Sequence, residues 1–170
     1  YDLGDRVLRI IPTPGHHPSH IMIYDERTKL LLSGDALYPG RLYIPSNLLG
    51  DFQASTDRVV EFLKGRDVSH ILGAHIEMTR TPGVDIKLGA SQHPNEHVLE
   101  LAPEQLVELQ AAVRAMGSTV VREVHDDFIV FPQPPRPPPA ATPPNDVLRR
   151  NLHGSVAPRG RMPLAPILQS

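Results

Sequence analysis

The eight residues Thr13 to His20 read TPGHHPSH and hold three of the chain's nine histidines, punctuated by two prolines and a glycine. Two further places share the design of Gly15-His16: Gly34-Asp35, and Gly73-Ala74-His75. Each time an apolar run ends, a glycine follows, and a potential metal ligand comes next. Glycine lets the backbone turn tightly, and loops at strand ends are where a rigid sheet presents chemistry. The chain has no cysteine, so any metal must sit on imidazole and carboxylate. Two imidazoles and one carboxylate form a donor set that suits zinc, iron or manganese. His16, Asp35 and His75 are therefore the candidate ligands.

The elements that must position them can be read from periodicity. Residues 6–11 (RVLRII) are β-branched and apolar and stop at Pro12, which predicts a strand before the histidine loop. Residues 20–24 and 30–32 predict two more strands around a polar turn, the last ending in Ser33-Gly34-Asp35. Residues 36–53 read as a long loop. Ser55 is expected to cap a helix over 56–64 closed by Gly65, and Val68–Leu72 reads as a short strand leading to His75. Residues 76–101 read as irregular. Pro103 opens a second helix carrying Leu106, Leu109, Val113 and Met116 at helical spacing until Gly117. Residues 119–124 and 128–131, split by His125-Asp126-Asp127, predict a terminal hairpin.

These segments carry a family resemblance. TPGHHPSHI resembles the TPGHTxGH segment of the metallo-β-lactamase fold hydrolases, SGDALYPG resembles their GD-x-L/F loop, and ILGAHIEM resembles their late GH segment. The order, the strand contexts and the separations of 19 residues from His16 to Asp35 and 40 from Asp35 to His75 also match. The resemblance covers about residues 6–131. It implies an α/β chain in α+β layers: the second half of an αββα sandwich with its site at one edge of the paired sheets. It also implies that His16 completes a first metal site, Asp35 bridges two metals and His75 belongs to the second. His20 would support the loop, and His17 would face solvent. Two zinc ions are the expected cofactor of an intact homologue, with iron or manganese as alternatives. The implied chemistry is attack of a hydroxide, held between the metals, on an ester, thioester, lactone or lactam.

One departure qualifies this. The signature HxHxDH, which in this family supplies two ligands to each metal, occurs nowhere in the 170 residues. Three donors are too few for two roughly four-coordinate sites. The expectation is therefore a partial metallo-β-lactamase-like domain over 1–131, lacking the half that carries HxHxDH and inactive on its own. Because the chain opens on Tyr1 rather than methionine, its true N-terminus is expected to lie elsewhere. Two other readings remain: a non-catalytic binding or scaffold protein that keeps the fold, and an iron-dependent redox member of the same superfamily.

The other histidines carry less. His93 and His97 stand four apart, but Pro94 argues against a helix between them. His70 is expected to be partly buried in its strand, and His125 to be a turn residue. Tyr38 and Tyr43 flank Pro39-Gly40-Arg41 after Asp35 and are candidate substrate-lining residues, while Glu77 is placed to orient the loop after His75.

Composition bounds the partners. Residues 1–131 hold 12 basic and 18 acidic side chains, with no basic stripe of the kind nucleic-acid phosphates require. No apolar run approaches the roughly 20 residues that span a bilayer. The expected partner is a small-molecule carbonyl substrate rather than nucleic acid or membrane, with the compartment left open and the cytoplasm favoured. From Pro132 the composition changes: 11 of the 19 prolines fall in residues 132–170, which read as a disordered tail.

Overall fold

The computed structural model describes residues 3–138. The order of elements is β1 (Leu8–Pro12), β2 (Ile21–Asp25), β3 (Leu30–Gly34), β4 (Arg41–Pro45), a 3-10 turn over Ser46–Leu48, α1 (Leu49–Leu63), β5 (His70–Gly73), β6 (Glu100–Leu101), α2 (Glu104–Ala115), β7 (Glu123–Val124) and β8 (Ile129–Gln133). Eight strands and two helices make a mixed α+β architecture, as the resemblance implied.

The strands form two sheets. The larger runs β1-β2-β3-β5-β6 and the smaller β4-β8-β7. In the larger sheet β2 is antiparallel to both β1 and β3, while β5 is parallel to β3. Parallel neighbours need a crossover connection, and α1 supplies it here. One consequence matters for the site. Because β1, β3 and β5 all run the same way, their C-terminal ends lie at one edge of the sheet. The loops that follow carry His16, Asp35 and His75.

Burial follows the pleat. Residues paired directly across strands share a face, and Ile11, Met22, Tyr24, Leu31 and Ile71 are all buried on one of them. They form a single core with Phe52 and Val59 of α1, Leu106, Leu109 and Val113 of α2, and Leu42, Ile44 and Val130 of the smaller sheet. The spacing of Leu49, Phe52, Thr56 and Val59 puts all four on one stripe of α1. Polar bonds lock the helices together: Gln53 Nε2 donates to the carbonyls of Val113 and Gly117, and Asp57 Oδ1 accepts from Gln110 and Arg114.

Several expectations are corrected. The stretch 36–53 is not all loop, because it holds β4 and the first turn of α1. Pro39 and Gly40 hid the strand, which is secured by parallel pairing with the distant β8. Ser55 is therefore not a cap; it lies inside α1 and its hydroxyl donates to the Pro14 carbonyl at 2.7 Å. His70 is exposed rather than partly buried. The hairpin of β7 and β8 forms, but β8 continues through Gln133, past the expected body boundary at 131. Residues 139–170, most of the expected tail, lie outside the described residues. Among the described residues no helix is long and apolar enough to cross a membrane.

Candidate metal centre

The loop after β1 is fastened from below by α1. Ser55 and Arg58 donate to the carbonyls of Pro14 and Pro12. Gly15 presses on the same helix, and a Cβ there would lie 2.6 Å from the Phe52 Cα. That contact requires glycine, because a backbone atom cannot yield as a side chain can.

His16, next in the chain, is four-fifths buried, with its side chain 20% exposed. Its Nδ1 lies 3.0 Å from the Tyr43 carbonyl of β4. A carbonyl only accepts, so Nδ1 carries the proton and Nε2 is left with a bare lone pair. Nε2 lies 3.9 Å from Asp35 Oδ2. A carbonyl behind one ring nitrogen and an open lone pair in front is how ligating imidazoles are held.

Asp35 sits between two histidines. His75 Nε2 is 2.8 Å from its Oδ1, yet the pair is misaligned for a hydrogen bond, and Oδ1 is sealed from solvent with no hydrogen-bond partner. The side chain as a whole is a third exposed, while Oδ1 is kept inside. The buried oxygen remains orphaned although an imidazole nitrogen touches it, an arrangement that costs free energy unless something else completes it.

His20 lies behind the donors rather than among them. The Asp35 N–H donates to its Nε2 at 3.2 Å, and its Nδ1 is 2.8 Å from the Thr13 hydroxyl. Since Nε2 accepts, Nδ1 carries the proton and His20 is neutral. Its pKa is pushed below the ordinary value, first by burial and then by neighbouring His16. Gly34 makes the reach possible: its φ is +57°, and a Cβ there would lie 2.8 Å from His20 Nε2. Thr13, 2% exposed and unremarked in the sequence, completes this brace.

The loop after His75 is tied to the loop after Asp35. Ala74 donates its N–H to the Gly34 carbonyl, and Glu77 Oε2 accepts the Arg41 N–H at 3.1 Å. Arg41 is buried and also donates to Asp85 Oδ2, the Ile86 carbonyl and the Tyr43 hydroxyl. Tyr38 is 1% exposed, with its hydroxyl given to the Arg41 carbonyl and its ring edge-on to His75 at 5.3 Å. It walls the site from inside and offers no open hydroxyl, whereas Tyr43 is half-buried and packs edge-on against Phe131. Burial also pushes the Tyr38 phenol well above its usual range, with Glu77 adding to the effect.

The remaining histidines lie elsewhere. His17 is exposed and bonded locally to Ser19. His93 pairs with Glu96 and His97 with Asp127, so the two are not a joint ligand pair. His125 is no simple turn residue: it stacks on Phe128 and lies between Glu108 and Glu123.

The structure thus brings His16, Asp35 and His75 to one sheet edge, with His20 bracing Asp35. A metal's demands are met in kind, by lone pairs and an orphaned carboxylate oxygen, but not in number. Among the described residues no group of three or more histidines, aspartates or glutamates converges to hold an ion. The three donors fit as part of a ligand set.

Residues 1–75 match the model of the metallo-beta-lactamase superfamily, a span that contains all three donors and ends on His75. The acyl-coenzyme A thioesterase MBLAC2 of Homo sapiens is 33% identical over 76 residues, which are 44% of this chain and 27% of that protein. An uncharacterized protein of Aquifex aeolicus is 32% identical over 80 residues, 45% of this chain and 37% of that one. The match therefore spans 27% and 37% of the length of these relatives, well under two thirds of either. Among solved structures, the flavodiiron protein from Giardia intestinalis is 20% identical, with a TM-score of 0.34, over 68% of this chain and 27% of that one. With three loops of one sheet edge carrying the candidate donors in family order, and the family model matching residues 1–75 across all of them, this part of the chain is similar to the metallo-β-lactamase superfamily.

Proposed function

We propose that this chain carries part of the active site of a metal-dependent hydrolase acting on a small carbonyl substrate. A thioester is the first candidate, because three of the matching relatives are named acyl-coenzyme A thioesterases. The observation that carries the reading is the orphaned Asp35 Oδ1, held between two imidazoles whose loops share a sheet edge. His16 and Asp35 would hold one cation, and Asp35 and His75 a second. Zinc, iron and manganese all accept such donors. The cations would supply Lewis acidity at the carbonyl oxygen and lower the pKa of a water.

The chain's own residues do the positioning. The Tyr43 carbonyl keeps His16 in the tautomer that leaves Nε2 free. His20, braced by Thr13, holds the Asp35 backbone so that its carboxylate faces both rings. Tyr38 and the Glu77–Arg41 link keep the His75 loop against the Asp35 loop and shield it from water on the protein side. Tyr43, half-buried and next to His16 through its carbonyl, is kept as the candidate substrate-lining residue.

The donor count supports a second statement: these 170 residues alone hydrolyse nothing at an appreciable rate. The test uses acyl-coenzyme A with a thiol reagent to read released coenzyme A, which is clean because the protein has no cysteine. The 170-residue chain is expected to bind zinc weakly and to be silent. In the product of the complete gene, activity is expected to appear and to fall at least 100-fold in Asp35→Asn. Full activity in that variant would refute the ligand assignment. A silent complete product that binds no metal would establish the non-catalytic reading instead.

A further inference from the structure

The stretch after His75 folds back on itself and leaves a cleft of about 150 Å³. Backbone bonding fixes its walls: Ile86 donates its N–H to the Glu77 carbonyl at 2.7 Å, and Met78 bridges Asp85. The apolar part of the lining is Ile76, Ile86 and Leu88. Ile76 follows His75 directly in the chain. Ile86 is 8% exposed, whereas Leu88, at 71%, is the most exposed large apolar side chain among the described residues. Arg41 also lines the cleft, and its Nε donates to the Tyr43 hydroxyl at 3.0 Å. The cleft therefore adjoins His75 through one wall and Tyr43 through another.

The charges around this cleft do not cancel. Glu77 Oε2 accepts the Arg41 N–H at 3.1 Å and lies 3.4 Å from its Nε, and the Arg41 guanidinium also reaches Asp85 at 2.8 Å. His93 has Nδ1 at Glu96 and Nε2 at the Ala90 carbonyl, so both its ring nitrogens are taken. Lys87 has no side-chain partner among the described residues, and its ammonium is left unanswered. Apolar walls beside an unanswered cation complement a ligand with an apolar body and an anionic end. An apolar cavity of this volume holds a molecule the size of benzene, which sets that body at a short chain. We propose that the cleft receives the acyl group of the substrate, and that Lys87 selects a short acyl group ending in a carboxylate. The proposal rests on the hydrolase reading, and acyl binding is tested apart from turnover.

Two experiments separate the subsite from the chemistry. In the first, the methyl resonances of Ile76, Ile86 and Leu88 are followed in the 170-residue chain as glutaryl-coenzyme A is added. Pentanoyl-coenzyme A, which lacks the terminal carboxylate, is the comparison. Glutaryl-coenzyme A is expected to shift these methyls saturably and to bind roughly tenfold tighter than pentanoyl-coenzyme A. Lys87→Gln and Lys87→Glu are expected to erase that preference. In the second, the product of the complete gene is assayed with both thioesters. The ratio of kcat/KM for glutaryl over pentanoyl is expected to fall about tenfold in the same variants. Lys64→Glu, at an exposed cation that caps α1, is expected to leave the ratio unchanged. Methyls that stay still, or a preference that survives both Lys87 variants, overturn the proposal. Equal losses for the two thioesters also overturn it, since Lys87 would then be reading the coenzyme A phosphates they share. A complete product that turns over neither thioester, while the methyls still shift in the 170-residue chain, refutes the hydrolase reading alone and leaves the cleft as a site for these acyl groups.

Discussion

The two ends of the five-stranded sheet treat an aspartate in opposite ways. At one end Asp25 accepts from Arg6 Nε and Nη2 at 3.0 and 2.5 Å, from the Thr28 hydroxyl at 2.6 Å and from the Arg27 N–H at 3.0 Å. At the other end Asp35 has a buried oxygen with no hydrogen bond and two imidazoles that approach without satisfying it. Asp25 is therefore tied into the fold, and its carboxyl is held well below the usual range by Arg6 first and Thr28 second. Asp35 is held in place by its backbone, through the N–H that His20 receives, while its side chain is left uncommitted. A saturated carboxylate is a structural brace. A carboxylate positioned precisely by others but left unsaturated keeps an oxygen free for a further partner.

The contrast can be broken most severely at the glycine below His16. Gly15→Val would set a side chain against the backbone of α1, and the expected cost is about 3 kcal/mol in thermal unfolding. Next, Asp25→Ala is expected to lower the melting temperature by several degrees, since it strands Arg6 and two other donors. Asp35→Ala should leave stability within about 0.5 kcal/mol of the parent, or raise it, as measured by denaturant titration. Equal destabilisation by the two substitutions would erase the distinction between brace and ligand.

Gly34→Ala is expected to cost about 1–2 kcal/mol through its left-handed backbone and to break the His20–Asp35 link. Loss of the altered His20 ring shifts in nuclear magnetic resonance would show this; unchanged shifts would place the brace elsewhere. The smallest effect is on pH. The folded pKa of Asp25 lies below its unfolded value, so its contribution is present above about pH 4 and lost as pH falls toward the folded value. Arg6→Ala removes the main cause of the depression. The stability gap between parent and variant should thus be open at neutral pH and close below about pH 4, measured by denaturant titration.

Much of the site was legible because it is built from local signals. A strand stop, a glycine and a ligand recur three times, and each pattern lies within a few residues. Strands β1, β2, β3 and β5 of the larger sheet were legible as short apolar runs, whereas β6 falls in the stretch 76–101 that reads as irregular and is fixed by its pairing with β5. β4 was not legible either, because its Pro39-Gly40 entry reads as loop and its pairing partner β8 lies some ninety residues further on. The first turn of α1 was lost with it, and Ser55 was misread as a cap when its real task is to hold the Pro14 carbonyl. Arg41 carries no local signature of what it does, since its partners Asp85 and Ile86 lie in a different segment.

The sequence by itself determined which residues can donate to a metal, the family order in which they occur and the strands that end beside them, because these depend on neighbours in the chain. Only the tertiary structure decided that the three donors share one sheet edge, since that requires β1, β3 and β5 to run in the same direction. It also decided which imidazole is a brace and which has its lone pair free. A ring's tautomer is set by whatever lies opposite each nitrogen, here the Tyr43 carbonyl for His16 and the Asp35 N–H for His20.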